Sequence, residues 1–206
     1  SLKFQNRNVY YMPNCVDQSL EKLKIYKNNY FKSDVFFAMS HGVHRGVLKR
    51  GKTDAREKLI KKLIDNTPNV KFDCYGLEGN QPIWSDDFLN CLSQNKIGLN
   101  LSQGTSSNFY SSDRLSQLIG NGLMVVIDEK TKIGSFFNKN EIVTYKNISD
   151  LSEKLIKYSY DNKKRIEIAK NGRNKYFKYF NSKEIADYII NKTFEKKKEY
   201  YWEKFI

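Results

Sequence analysis

The 206 residues include only 3 cysteines, 3 prolines, 2 histidines and 2 tryptophans. Cys15, Cys74 and Cys91 fit neither a zinc spacing nor a disulfide framework. A reducing compartment suits such thiols, so the cytoplasm is the expected location. His41 and His44 have no cysteine or acid close to them in sequence, and no Asp-x-Asp occurs, so no metal is expected. No run of about 18 apolar residues is present to cross a bilayer. The start of the chain lacks the apolar core of a secretion signal. Several motifs are missing too. No Gly-x-Gly-x-x-Gly follows the first apolar run, and no Gly-x-Ser-x-Gly occurs. A nicotinamide fingerprint and a hydrolase elbow are thereby excluded.

Acids are also in short supply, 23 against 36 Lys and Arg, for a formal charge of +13. Such an excess suits nucleic acid. Only 7 of those cations are arginine, however, and base-edge recognition leans on its planar fork. Lysine, isoleucine, tyrosine, phenylalanine and the 21 asparagines are what an AT-rich genome supplies. Composition thus accounts for the charge without a nucleic-acid partner, and a basic nucleic-acid-binding domain stands as the alternative reading.

What is present is an alternation of strand and helix. Continuous apolar runs at 34–40, 96–102 and 123–128 read as buried parallel strands, with shorter strands at 70–75 and 141–145. A strand-like piece at 9–12 and a weak helix over 17–28 precede them. Helices are expected from Asp54, from Ser85, from Asp113 to the stop at Gly120-Asn-Gly122, over 149–160 and over 163–180. Asn181 caps a last helix running toward Trp202. The fold class is therefore α/β: a single Rossmann-like domain with a parallel sheet and helices on both faces. Residues 1–33 are read as a linker and 34–206 as the domain.

Ligands of such sheets sit at the carboxyl ends of the strands, where two loops stand out. The first, His41–Gly51, combines three glycines with Arg45, Lys49 and Arg50, a pairing of close backbone approach with positive charge. The second, Gly104–Arg114, is rich in hydroxyls and runs into a helix start. There, free N–H groups and the macrodipole favour an anion. Arg114 lies in the first turn, where a cation opposes the dipole unless an anion is near. Asp86 and Asp87 are read as partners of a helix dipole.

The stretch Tyr110-Ser-Ser-Asp-Arg-Leu-Ser-Gln-Leu-Ile-Gly-Asn-Gly-Leu-Met-Val-Val-Ile-Asp128 resembles the donor-binding motif of GT-B glycosyltransferases, which carry Arg-x-x-Glu-x-x-x-x-Gly before a strand. The group-1-like branch that includes the CgeB proteins is the most similar. Phe136-Phe137, Glu141–Tyr145, Asp150-Leu151 and Arg165–Arg173 also look like that family's tail. Met12-Pro-Asn-Cys-Val-Asp17 resembles the Pro-Asn-x-Val-Asp that precedes its C-terminal lobe.

The resemblance implies half of a GT-B fold, namely the lobe that binds a nucleotide-diphosphate sugar for transfer to a glycan-type acceptor. Arg45, Lys49, Arg50, Ser112 and Arg114 would hold the donor diphosphate. Gln117, Gly104 and Ser106 would meet the ribose or sugar, and Tyr75, Gly76 and Leu77, at the start of the 76–84 stretch, the nucleobase. Gln117 departs from the family's Glu and carries no charge. No cofactor or metal is implied. The partner lobe, with the catalytic base, would precede the 1–33 linker in a longer protein, so the chain alone is expected to be inactive. Peripheral contact with the inner membrane face accompanies this reading, and a GT-B-like sugar-nucleotide epimerase is an alternative to it. Tyr200, Tyr201 and Trp202 are expected to be exposed, for packing on the other lobe.

Overall fold

The computed structural model describes residues 8–40, 55–77, 79–102 and 107–206. Five strands form one parallel sheet: β1 (Ser33–Ala38), β2 (Phe72–Tyr75), β3 (Asn95–Asn100), β4 (Met124–Asp128) and β5 (Val143–Tyr145). Their order is β2-β1-β3-β4-β5. The chain winds outward from β1 on one side and from β3 on the other, so the topological switch lies between these two strands. That is where an open α/β sheet leaves a crevice.

Both faces of the sheet are buried, which explains the unbroken apolar runs. Side chains alternate as the pleat requires. Phe36, Val125 and Ile127 enter one core, while Val35, Phe37, Met124 and Val126 enter the other. The first core is covered by α2 (Ser85–Ser93), α3 (Asp113–Gly120) and α6 (Ser182–Thr193). The second is covered by α1 (Ala55–Asn66) and α4 (Ile148–Tyr160). The long α5 (Asn162–Tyr179) contributes Tyr176 to one core and Ile168 and Ala169 to the other.

The expected strands are present, with their ends shifted by at most two residues. No strand forms at 9–12, and the helix expected over 17–28 reduces to a turn of 3-10 helix at Ile25–Lys27. Long-range packing overrides local propensity here. Val16 and Ile25 are pinned in the first core, and Val16 bridges to Asn181 beside α6. Residues 8–33 therefore lie against the domain.

The chain's end corrects an expectation. Helix α6 stops at Thr193, and the aromatics at 200–202 turn inward. Tyr200 and Trp202 are buried, with Trp202 beside Tyr188 and Phe180. Tyr201 is half-buried, stacked on Tyr179 at 4.1 Å. The domain itself offers the apolar surface that these rings need, so no other lobe is required to cover them.

Candidate functional site

A cleft of about 1100 Å³ opens at the carboxyl edge of the sheet, over the β1/β3 switch point. Its floor is the chain leaving β1 (Ala38, Met39 and Ser40) and β3 (Leu101 and Ser102). Helices α1 and α3 follow strands of a parallel sheet, so their amino ends rise at this edge.

Helix α3 is built for its place. Ser112 Oγ caps it by accepting from Leu115 N at 3.3 Å. Gly98 on β3 lets the helix come close, since a Cβ there would stand 2.9 Å from Leu118 Cδ2. The helix stops at Gly122, whose φ of +87° is easy only for glycine. Leu123 N then donates to Leu118 O and Gly122 N to Ile119 O, the paired bonds of a Schellman end.

Arg114 lies across the switch point. Its Nε donates to Ala38 O and its Nη1 to Leu101 O, both at 2.8 Å, and its guanidinium lies 5.1 Å from the Phe37 ring centre. One side chain thus ties together the ends of β1 and β3 and places its charge in the cleft. Arg56, the second residue of α1, mirrors it as a buried cation on the same cleft. Sequence reasoning missed Arg56, although the signal that marked Arg114, arginine in a helix's first turn, was there to read.

The Pro-Asn-x-Val-Asp segment docks on α3. Asn14 N donates to Ser111 Oγ at 3.1 Å, and Asn14 Nδ2 donates to Asp113. Asp17 accepts from Ser19 and from the Ser182 hydroxyl, and those bonds hold its carboxyl down to about 2. Four residues on, Glu21 is pushed the other way. Its burial raises its pKa, although Asp17 N donates to its Oε2 at 2.7 Å. Glu21 lines the cleft beside Gln117 and Asn121.

Of the diphosphate residues expected from sequence, Ser112 and Arg114 line the cleft together. Arg45, Lys49 and Arg50 lie outside the described residues, as do Gly104 and Ser106. Gln117 lines the cleft, one turn along α3 from Arg114. The nucleobase residues sit elsewhere. Leu77 is buried in the second core, and Gly76 (φ +80°) backs onto Met39, where a Cβ would meet the carbonyl oxygen at 1.9 Å. Tyr75 packs on Phe36, and burial raises its phenol well above the usual range. The 76–84 stretch reaches the cleft only at its far end, through Ile83 and the half-exposed Trp84, with Ser85 and Asp86 behind them. Among the described residues no three His, Cys, Asp or Glu side chains gather into a metal site, and no helix is long and apolar enough to cross a membrane.

The family profile described as glycosyl transferase-like matches residues 52–191. The chain belongs to that family. No curated protein matches it in sequence. Among the solved structures that share the fold of this glycosyl transferase-like chain are two of TarM. The crystal structure of TarM superposes with a TM-score of 0.57 at 15% identity, covering 89% of this chain and 37% of that one. A point mutant of S. aureus TarM, in complex with Fondaparinux, alpha-GlcNAc-glycerol and UDP, gives 0.60 at 16% identity, covering 92% and 40%. The chain thus spans about two fifths of the length of these relatives. Its single Rossmann-like domain corresponds to half of a GT-B fold.

Proposed function

We propose that this chain is the donor-binding lobe of a GT-B glycosyltransferase, and that its cleft holds a nucleotide-diphosphate sugar. The observation that carries this reading is the position of Arg114 and the start of α3 over the β1/β3 switch point. The amino end of α3, the positive end of its macrodipole and a planar cation converge there, and all three suit a diphosphate. The UDP present in the TarM mutant's complex adds to the case for a nucleotide ligand.

The chemistry follows from charge. Breaking the sugar–phosphate bond leaves negative charge on the departing diphosphate. Donors fixed in place before the reaction stabilise that charge without reorganising. Ser112, Arg114 and the α3 amides fill this role, joined by Arg45, Lys49 and Arg50 from the loop after β1. Gln117 faces the ribose, with Gly104 and Ser106 toward the sugar. The base stacks at Ile83 and Trp84. Departure of the diphosphate needs no metal in this scheme. The acceptor glycan and the catalytic base belong to an N-terminal lobe, in a cytoplasmic enzyme.

The test is a titration of the chain with ADP, GDP and UDP, followed by melting temperature. A ligand at 100 times its Kd stabilises by about 2.7 kcal/mol, which raises the midpoint by several degrees. At least one nucleoside diphosphate is expected to do this. An unmoved midpoint with all three overturns the reading.

A further inference from the structure

At the amino edge of the sheet, away from the cleft, one buried cation lacks a matching acid. Arg165 is 2% exposed. Its Nη2 donates to Asn162 Oδ1 at 3.1 Å, and its guanidinium lies 4.9 Å from the Phe31 ring centre. Its Nε is buried with no acceptor, and no carboxylate bonds to the group among the described residues. Two acids stand close by, and both are engaged elsewhere. Asp34 Oδ1 accepts from Lys96 Nζ at 2.6 Å and its Oδ2 from Lys71 N at 2.9 Å. Asp161, the cap of α5, accepts from Lys164 N at 3.0 Å. Burying a guanidinium with so few acceptors is costly to the fold.

A hollow of about 400 Å³ opens beside this arginine. Arg165 and Lys96 supply its charge, Asn28, Asn29 and Asn162 supply amides, and no acid is among its lining residues. Lys96 Nζ spends two of its three protons, on Asp34 and on Ser159 O. Asn162 gives its oxygen to Arg165, which leaves its Nδ2 to donate. Asn162 and Arg165 also lie in the first turn of the 18-residue α5, at the positive end of its macrodipole. A cation is unfavourable there unless an anion is near. The adjoining hollow of about 250 Å³ shares Phe31 and Lys96 and adds Lys32 and Lys71, with Asp34 as its single acid.

We infer that these joined hollows form an oxyanion site, separate from the cleft, and that it takes a tetrahedral dianion such as inorganic phosphate. The ion accepts from Lys96, Arg165 and Asn162 and offsets the burial of Arg165. Four cations against Asp34 alone suit two negative charges better than one. The larger hollow has well under half the volume of the cleft, which suits a bare ion and not a nucleotide. The site is independent of the donor-site reading, since it shares no residue with the cleft.

The test is backbone amide NMR of the labelled chain, titrated at constant pH and ionic strength with phosphate, sulfate or chloride. Phosphate and sulfate are expected to give saturable shifts at Asn29, Phe31, Lys96, Asn162 and Arg165, with a Kd of about 1 mM, and chloride to leave these amides still. Arg165→Met, which removes the charge and keeps an apolar stem, is expected to weaken phosphate at this set at least tenfold. Asn29→Asp is the second variant. Its side chain is exposed, so the fold is expected to tolerate the change, and it sets a negative charge in the hollow. It should abolish the same shifts, and it decides the matter if Arg165→Met does not fold. Phosphate shifts confined to α3, equal shifts with chloride, or unchanged phosphate affinity in either folded variant would overturn the assignment and leave the donor site standing.

Discussion

Cations stand at both edges of the sheet, in different company. At the amino edge Lys96 on β3 donates to Asp34 on β1 at 2.6 Å and to Ser159 O at 3.1 Å. Nearby, the buried Arg165 packs on Phe31 and donates to Asn162. The hollows there are small, about 250 and 400 Å³. At the carboxyl edge Arg114 holds two strand-end carbonyls, at the start of a helix, over a cleft of about 1100 Å³. Positive charge is therefore no guide to the site in this lysine-rich chain. What separates the edges is the convergence of helix starts on the switch point and the room left above it.

The largest difference between the edges is expected from paired substitutions. Arg114→Ala leaves the carbonyls of Ala38 and Leu101 without their partner. It should cost about 1–3 kcal/mol of stability and weaken nucleoside-diphosphate binding at least tenfold. Arg114→Lys restores charge but not the two-pronged geometry, so binding should recover only in part. Lys96→Met breaks an ion pair that is still partly in water, at about 1 kcal/mol, and should leave nucleotide affinity unchanged. Urea denaturation and titration calorimetry on the three variants read both quantities. Equal binding losses at the two edges would break the contrast.

A smaller effect separates Asp17 from Glu21, four residues apart. Asp17 is held down to about 2 by hydrogen bonds, from an ordinary 3.8. A depressed acid contributes stability that is present above its unfolded value and lost as pH falls. The Asp17 contribution should therefore fade between about pH 4 and 2. Glu21 is raised by burial, so its sign is reversed. Its contribution is present below the ordinary 4.5 and is lost as pH rises beyond it. Melting curves from pH 2 to 7 should show Asp17→Asn flattening the acid limb and Glu21→Gln holding or raising the midpoint at pH 7. A Glu21→Gln protein clearly less stable at pH 7 would mean that the carboxylate serves the fold.

Much of the fold was legible because both faces of the sheet are covered, which writes apolar runs such as Val35–Met39 and Leu123–Ile127 directly into the sequence. Asn181 announced its cap for a local reason, a side-chain oxygen next to the first amides of a helix. The lead-in segment was not legible, because Val16 and Ile25 owe their burial to distant neighbours and not to any period. The closing aromatics misled for the same cause. A cluster of rings beside charges reads as a surface until the partner rings of α5 and α6 are seen. In the site, Arg114 and Gln117 were marked by a motif within one helix. Glu21 and Arg56 reach the cleft from segments far from that motif, and Trp84 stands at the far end of a stretch in which the residues nearest β2 had seemed the better readers of a base.

The central claim is that the carboxyl edge, over the β1/β3 switch, is where the nucleotide binds. Backbone amide NMR of the labelled chain, titrated with the tightest nucleoside diphosphate, tests it most directly. The account predicts shifts at Ser40, Ser102 and the first turn of α3 at Asp113, Arg114 and Leu115, with Lys32, Asn69, Lys96 and Ser159 still. Shifts gathered around Lys96, Ser159 and Arg165, with α3 silent, would contradict it.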